Sequence, residues 1–127
     1  MDLDWLMNRI LVVEDEAALR AVITRTLKKA GYDVKSVGAG ANALIVFDNP
    51  EWQPDLIITD FQLPDIDGLE LLRRCRDRGS RIPFVLCTGD VNALGQLDGR
   101  ALGASILAKP WNSIGDLLAC VRNAIAA

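Results

Sequence analysis

The feature that most constrains this chain is a set of four short apolar runs, each stopped by a polar or ionisable residue. They occupy 10–13, 56–58, 84–87 and 106–108. Continuous apolar runs of this kind read as buried strands. They are expected where helices cover both faces of a parallel sheet, because such strands have no solvent-facing side. A fifth run, Val34-Lys35-Ser36-Val37, alternates and therefore belongs at a half-covered edge.

Between the strands the apolar period changes to three and four. Leu19, Val22, Ile23, Thr26, Leu27 and Ala30 form one helical stripe, and Ile114, Leu117, Leu118, Val121 and Ile125 another. Gly31 can end the first helix, while Asp67 with Glu70 and Ser113 with Asp116 resemble capping boxes. Weaker helical patterns cover 41–48, 69–77 and 91–102. Five repeats of strand then helix, with right-handed crossovers, make an α/β doubly wound sheet. Composition agrees with one domain over 1–127, since half the 127 residues are hydrophobic and 24% are charged. A chain of this length holds a core without disulfides or a structural metal. Cys75, Cys87 and Cys120 are odd in number and widely spaced, so they read as buried free thiols.

Several function classes fall away on composition. There is no His, which removes His-based acid/base chemistry, His-ligated metals and phosphohistidine on this molecule. A net charge of -3 argues against direct nucleic-acid binding through phosphate contacts. No apolar run approaches the roughly 18 residues of a membrane span, and residues 1–7 lack a secretory signal, so a cytoplasmic location is expected.

In a doubly wound sheet ligands bind outside the carboxyl ends of the strands. The residues that end these strands are Glu14-Asp15, Asp60, Thr88 and Lys109, so every strand but the edge one delivers a polar group to one rim. Three converging carboxylates would repel one another and raise their pKa values without a cation. Ligands that are all oxygen favour Mg2+, which keeps several waters and leaves one acid free to react. Glu14, Asp15 and Asp60 carry -3 against +3 from Mg2+ and Lys109. An acyl phosphate on one carboxylate adds about one further negative charge, which a Lys, a hydroxyl and backbone N–H groups can accept. Phosphoryl transfer to an Asp nucleophile asks the protein mainly for positioning and charge neutralisation.

At this point the chain resembles the receiver domain of two-component response regulators, over essentially its whole length. The motifs are Ile10-Leu-Val-Val-Glu-Asp-Glu16, Leu56-Ile-Ile-Thr-Asp60 with Leu63-Pro64 and Asp67-Gly68, Leu86-Cys-Thr-Gly89 and Lys109-Pro110. The resemblance implies a flavodoxin-like (βα)5 fold, a single five-stranded parallel sheet in the order 2-1-3-4-5. It implies that Asp60 accepts a phosphoryl group from a histidine kinase or histidine phosphotransfer protein, and that the domain catalyses only its own phosphorylation and dephosphorylation. Glu14, Asp15, Asp60 and the Gln62 carbonyl would hold Mg2+, Thr88 would bring its hydroxyl to the phosphate, and Lys109 would pair with a phosphate oxygen. A cis peptide between Lys109 and Pro110 is implied as well. An unidentified downstream protein would read the altered surface, and the chain would be either a stand-alone regulator or a receiver cut from something longer.

Three features depart from the family pattern. Ile106 stands where Tyr or Phe is usual, which puts an aromatic relay in doubt, and Glu14 replaces the more frequent Asp. Gly95 and Gly99 fall inside the fourth helix and Gly103 follows it, so either the segment 91–102 is loosely held and responds to phosphorylation, or the glycines merely allow close packing. Phe61, Gln62 and Asp90 sit where the family tunes dephosphorylation. Plainer roles are open to the same residues: Glu14, Asp15 and Asp67 as helix caps, Thr88 as a strand end, Lys109 as a solvated charge. Gly38-Ala-Gly40-Ala-Asn-Ala43, with Asp60 twenty residues after Gly40, also fits a dinucleotide fingerprint. Two rival functions are an aspartate-nucleophile phosphatase of the haloacid dehalogenase type and a receiver-like adaptor that is not phosphorylated. The first lacks its second acid, since Asp60-Phe-Gln62 is not D-x-D.

Overall fold

The computed structural model describes residues 8–89, 100–109 and 114–126. The chain order is β1 (Arg9–Val13), α1 (Ala17–Lys29), β2 (Asp33–Val37), α2 (Gly40–Phe47), β3 (Leu56–Asp60), α3 (Gly68–Asp77), β4 (Phe84–Thr88), β5 (Ala104–Ala108) and α4 (Ile114–Ala126). All strand pairs are parallel, and the sheet order is β2-β1-β3-β4-β5. The reversal of direction from β1 creates a switch point between β1 and β3, where a doubly wound sheet opens its crevice. The alternating run is indeed an edge strand, pairing with β1 alone.

The two faces of the sheet carry separate cores, because successive strand residues point to opposite sides. On one face Leu11, Val13, Ile57, Phe84 and Leu86 pack with Ala43, Leu44 and Phe47 of α2 and Leu71, Leu72 and Cys75 of α3. On the other, Ile10, Val12, Leu56, Ile58, Val85 and Cys87 meet Ile23 and Leu27 of α1 and Leu117, Val121 and Ala124 of α4. Each fully buried Leu or Ile contributes about 1.5–3 kcal/mol relative to exposure. The continuous apolarity of β1, β3 and β4 is therefore the record of two helical layers.

Local signals end and begin the helices. Gly31 at φ 99° closes the turn after α1, with Gly31 N donating to Lys28 O and Tyr32 N to Leu27 O. These paired bonds terminate the helix in the Schellman manner. Asp67 caps α3, its Oδ1 accepting from Glu70 N at 2.7 Å. The buried stripe of α1 is narrower than its sequence pattern: Ile23 and Leu27 are buried, but Val22 is 41% exposed. A helix on one sheet face buries a stripe only, and Val22 falls at its outer margin. Ser113 of the second capping box lies outside the described residues, as do 91–99 of the fourth helical pattern and the Pro110 of the cis peptide.

Candidate functional site

Strand register sets the heights of the functional side chains. Val13 pairs with Thr59 and Asp60 with Cys87, so Glu14 comes level with Asp60 at the carboxyl edge. Thr88 pairs with Ala108 one step beyond, and Lys109 follows. The loops continue the ladder, with Phe61 N donating to Cys87 O at 2.8 Å and Lys109 N to Thr88 O at 2.7 Å. Four strands thus present one rim, as the strand-ending residues suggested.

Glu14, Asp15 and Asp60 each place a carboxylate oxygen within 4.8 Å of the others. Lys109 Nζ donates to Glu14 Oε1 at 2.8 Å and to Asp60 Oδ2 at 3.1 Å. Glu14 is fastened at every polar atom: its N–H donates to Val37 O, its carbonyl accepts from Arg20 Nη1, and Oε2 accepts from Glu16 N. Only 3% of it is exposed, whereas Asp15 faces solvent and Asp60 lies between. Asp60 Oδ1 accepts from Gln62 N at 3.3 Å, and its carbonyl accepts from Thr59 Oγ1 at 3.0 Å. Gly68 packs directly on this strand end. Its N–H donates to Phe61 O, and a Cβ there would collide with the carbonyl oxygen of Asp60.

Burial holds the Glu14 carboxyl above the ordinary glutamate pKa, although the Lys109 hydrogen bond opposes the shift. Burial pulls Lys109 the other way, but hydrogen bonds to Glu14 and Asp60 outweigh it and the ammonium pKa is raised. The Cys87 thiol beneath the rim is pushed up to about 12 by burial and stays protonated. Repulsion among the carboxylates is thus not the main cause of the Glu14 shift. Desolvation is, with the Asp15 contact a smaller contribution.

The response regulator receiver domain family matches residues 10–122. The chain belongs to this family. It is 37% identical over 120 residues to a probable transcriptional regulatory protein of Picosynechococcus sp., covering 90% of this chain and 47% of that protein. Among solved structures it resembles the chemotaxis response regulator CheY4 of Vibrio cholerae, with 28% identity, a TM-score of 0.83, and 93% and 98% of the two chains covered. It also resembles the response regulator protein TrrA of Thermotoga maritima, solved in complex with Mg(2+)-BeF, with 29% identity, a TM-score of 0.80, and 92% and 98% covered. The chain spans about half the length of the curated relatives it matches.

Within this receiver the structure brings Glu14, Asp15, Asp60 and Lys109 together. Thr88 is buried at the end of β4, 6% exposed, and Gln62 is exposed, meeting Asp60 through its backbone N–H. Of Glu14, Asp15 and Asp67, all described residues with a plainer role as helix caps open to them, only Asp67 caps a helix. The residue preceding α1 is Glu16, which makes no side-chain capping bond. Lys109 is paired rather than solvated. Ile106 is half-buried and packs against the α2–α3 core. Asp90, two residues beyond Thr88, lies outside the described residues. The dinucleotide reading fails on geometry. The N-terminus of α2, where a pyrophosphate would sit, is taken by the Asp65 carboxylate, which accepts from Gly40 N at 2.8 Å and Ala41 N at 2.7 Å. Asp65 had no signal in sequence, since it caps a helix 24 residues upstream of itself. Gly68 had only a turn signal; its close approach to Asp60 depends on the tertiary fold.

Proposed function

We propose that Asp60 is the phosphoacceptor of a receiver domain that occupies 1–127, and that its donor is the phosphohistidine of a histidine kinase or histidine phosphotransfer protein. The observation that carries this reading is the Lys109 ammonium bridging Glu14 Oε1 and Asp60 Oδ2 beside a third carboxylate. Three carboxylates and one ammonium leave -2, the charge a divalent cation neutralises. The donor set is oxygen only, and it fits Mg2+. Glu14, Asp15, Asp60 and the Gln62 carbonyl would hold the ion. When bound, Mg2+ supplies neutralisation of the phosphoryl oxygens.

The chain's own residues do the rest. An Asp60 carboxylate oxygen attacks phosphorus, the P–N bond to the donor imidazole breaks, and the departing imidazole nitrogen keeps the electron pair and is protonated from solvent. Lys109, already in contact with Asp60, needs only a short movement to pair with a phosphoryl oxygen. The Thr88 hydroxyl, at the adjacent strand end, donates to a second. The Gln62 N–H, already aimed at Asp60, stabilises the same negative charge. Beyond this self-modification the domain performs no catalysis on other substrates. Its location is cytoplasmic, consistent with the absence, among the described residues, of any helix long and apolar enough to cross a membrane. The transcriptional regulators it resembles are about twice its length. For this segment, the net charge of -3 supports signalling through protein surfaces rather than nucleic-acid contacts.

Incubation with acetyl phosphate and Mg2+, followed by intact mass spectrometry, tests the reading. One phosphoryl group is expected on the wild-type chain and none on Asp60→Asn or in the presence of EDTA. An unlabelled wild-type protein, or a label that survives Asp60→Asn, overturns it.

A further inference from the structure

At the opposite end of the sheet, where β4 and β5 begin, lies a cleft of about 360 Å3 lined by Arg76, Gly79, Ser80, Arg81, Leu102 and Gly103 among others. Five strand residues at about 3.3 Å each separate it from the aspartate rim by roughly 17 Å. Arg76 is held rigidly. Its Nε donates to Leu102 O at 2.9 Å and Nη1 to Ser80 O at 3.2 Å, and its guanidinium carbon stands 5.5 Å from the Phe84 ring centroid. All these partners are neutral. Burial lowers the Arg76 pKa, Cys75 opposes the shift, and the neighbouring Arg81 adds to it. Arg81 itself makes no ion pair or hydrogen bond among the described residues.

Two adjacent guanidinium groups, one partly desolvated, are an electrostatic expense that folding alone does not require. The other arginines at the end of α3 are neutralised: Arg74 pairs with Glu70 and Arg78 with Asp48. Among the described residues no carboxylate pairs with Arg76 or with the exposed Arg81. A planar fork fixed on two carbonyls retains Nη2 to donate to an oxyanion, and the Ser80 hydroxyl, which already accepts from Ile82 N, keeps its proton to donate. The volume is within the range of small-ligand sites and exceeds what a bare ion fills.

We propose that this cleft is an oxyanion-binding site for a small ligand bearing a phosphate or carboxylate group, distinct from the phosphoacceptor site. The bound anion would tie the turn after α3 to the turn before β5, joining segments that Arg76 already clips together. Binding there is independent of the chemistry at Asp60.

The test is a titration of the whole chain with inorganic phosphate and, separately, with succinate. It is followed by 1H–15N NMR in Mg2+-free buffer at constant ionic strength, with chloride as control. Saturable shifts confined to Gly79, Ser80, Leu102 and Gly103 are expected. Arg81→Gln should weaken binding about tenfold, the loss of one charged hydrogen bond, while phosphorylation of Asp60 from acetyl phosphate stays unchanged. Saturation by phosphate alone, by succinate alone or by both supports the site and identifies its ligand group. Shifts that fail to saturate with either, that chloride reproduces, or that persist undiminished in Arg81→Gln show that Arg76 is only a structural clip and overturn the proposal.

Discussion

At the scale of single residues, the Lys109–Glu14 contact joins stability to function. Removing the ammonium in Lys109→Met leaves Glu14 buried without its strongest partner, and metal-free stability should fall by roughly 1–3 kcal/mol in urea unfolding. Glu14→Gln should act in the opposite sense. Because burial raises the Glu14 pKa, the native state binds a proton more tightly than the unfolded chain. This contribution to stability therefore falls as pH rises past the ordinary glutamate value. Comparing unfolding of wild type and Glu14→Gln between about pH 4 and 7 should show the mutant gaining on the wild type as pH increases. A constant difference across that range would contradict the burial-driven shift. Lys109 adds a contribution at the alkaline end: its raised pKa gives stability that is full below 10.5 and lost as pH rises through the native value.

Elements show where sequence reading reaches and where it stops. The apolar runs at 10–13, 56–58 and 84–87 are legible because burial on two faces leaves no polar position within them. Glu14, Asp60 and Lys109 are legible as a set: singly Glu14 and Lys109 admit plainer roles, but all three end apolar runs at one rim. Asp65 is not, since the helix it caps is 24 residues away and only the folded chain brings them together. Asp65→Ala should remove the cap of α2 and cost about 1 kcal/mol, with faster amide exchange at Gly40 and Ala41. Asp65 titrates in the reverse sense to Glu14. The Ala41 N–H holds its pKa low, so its stabilisation is present at neutral pH and is lost as pH falls below the ordinary aspartate range. Gly68→Ala drives a methyl into the Asp60 carbonyl, so it should slow phosphorylation more than it lowers secondary structure by circular dichroism. The Arg76–Arg81 cleft was equally invisible in the sequence. Its arginines look like those that pair with Glu70 and Asp48, and only geometry separates them.

For the molecule as a whole, a cation bound only by the folded site stabilises by mass action. At one hundred times its Kd, Mg2+ should add about 2.7 kcal/mol, and EDTA or Asp60→Asn should abolish the gain in thermal unfolding. Two of the three thiols report on the same integrity: Cys75 and Cys87 are buried as the sequence suggested, whereas Cys120 is only partly buried. Burial pushes Cys75 and Cys87 up to about 12, so these two should resist alkylation at neutral pH and react promptly in urea. Fast labelling of Cys75 or Cys87 in the native chain would place them outside the core.

The rim is assembled from the ends of β1, β3, β4 and β5, and no two of its groups except Glu14 and Asp15 are neighbours in the chain. A fragment left by proteolysis, or a ribosome product not yet long enough to include Lys109, holds the aspartate but lacks the ammonium that completes its surroundings. On the proposed reading, competence to carry a message therefore arrives only once the last strand has delivered Lys109 to the acids.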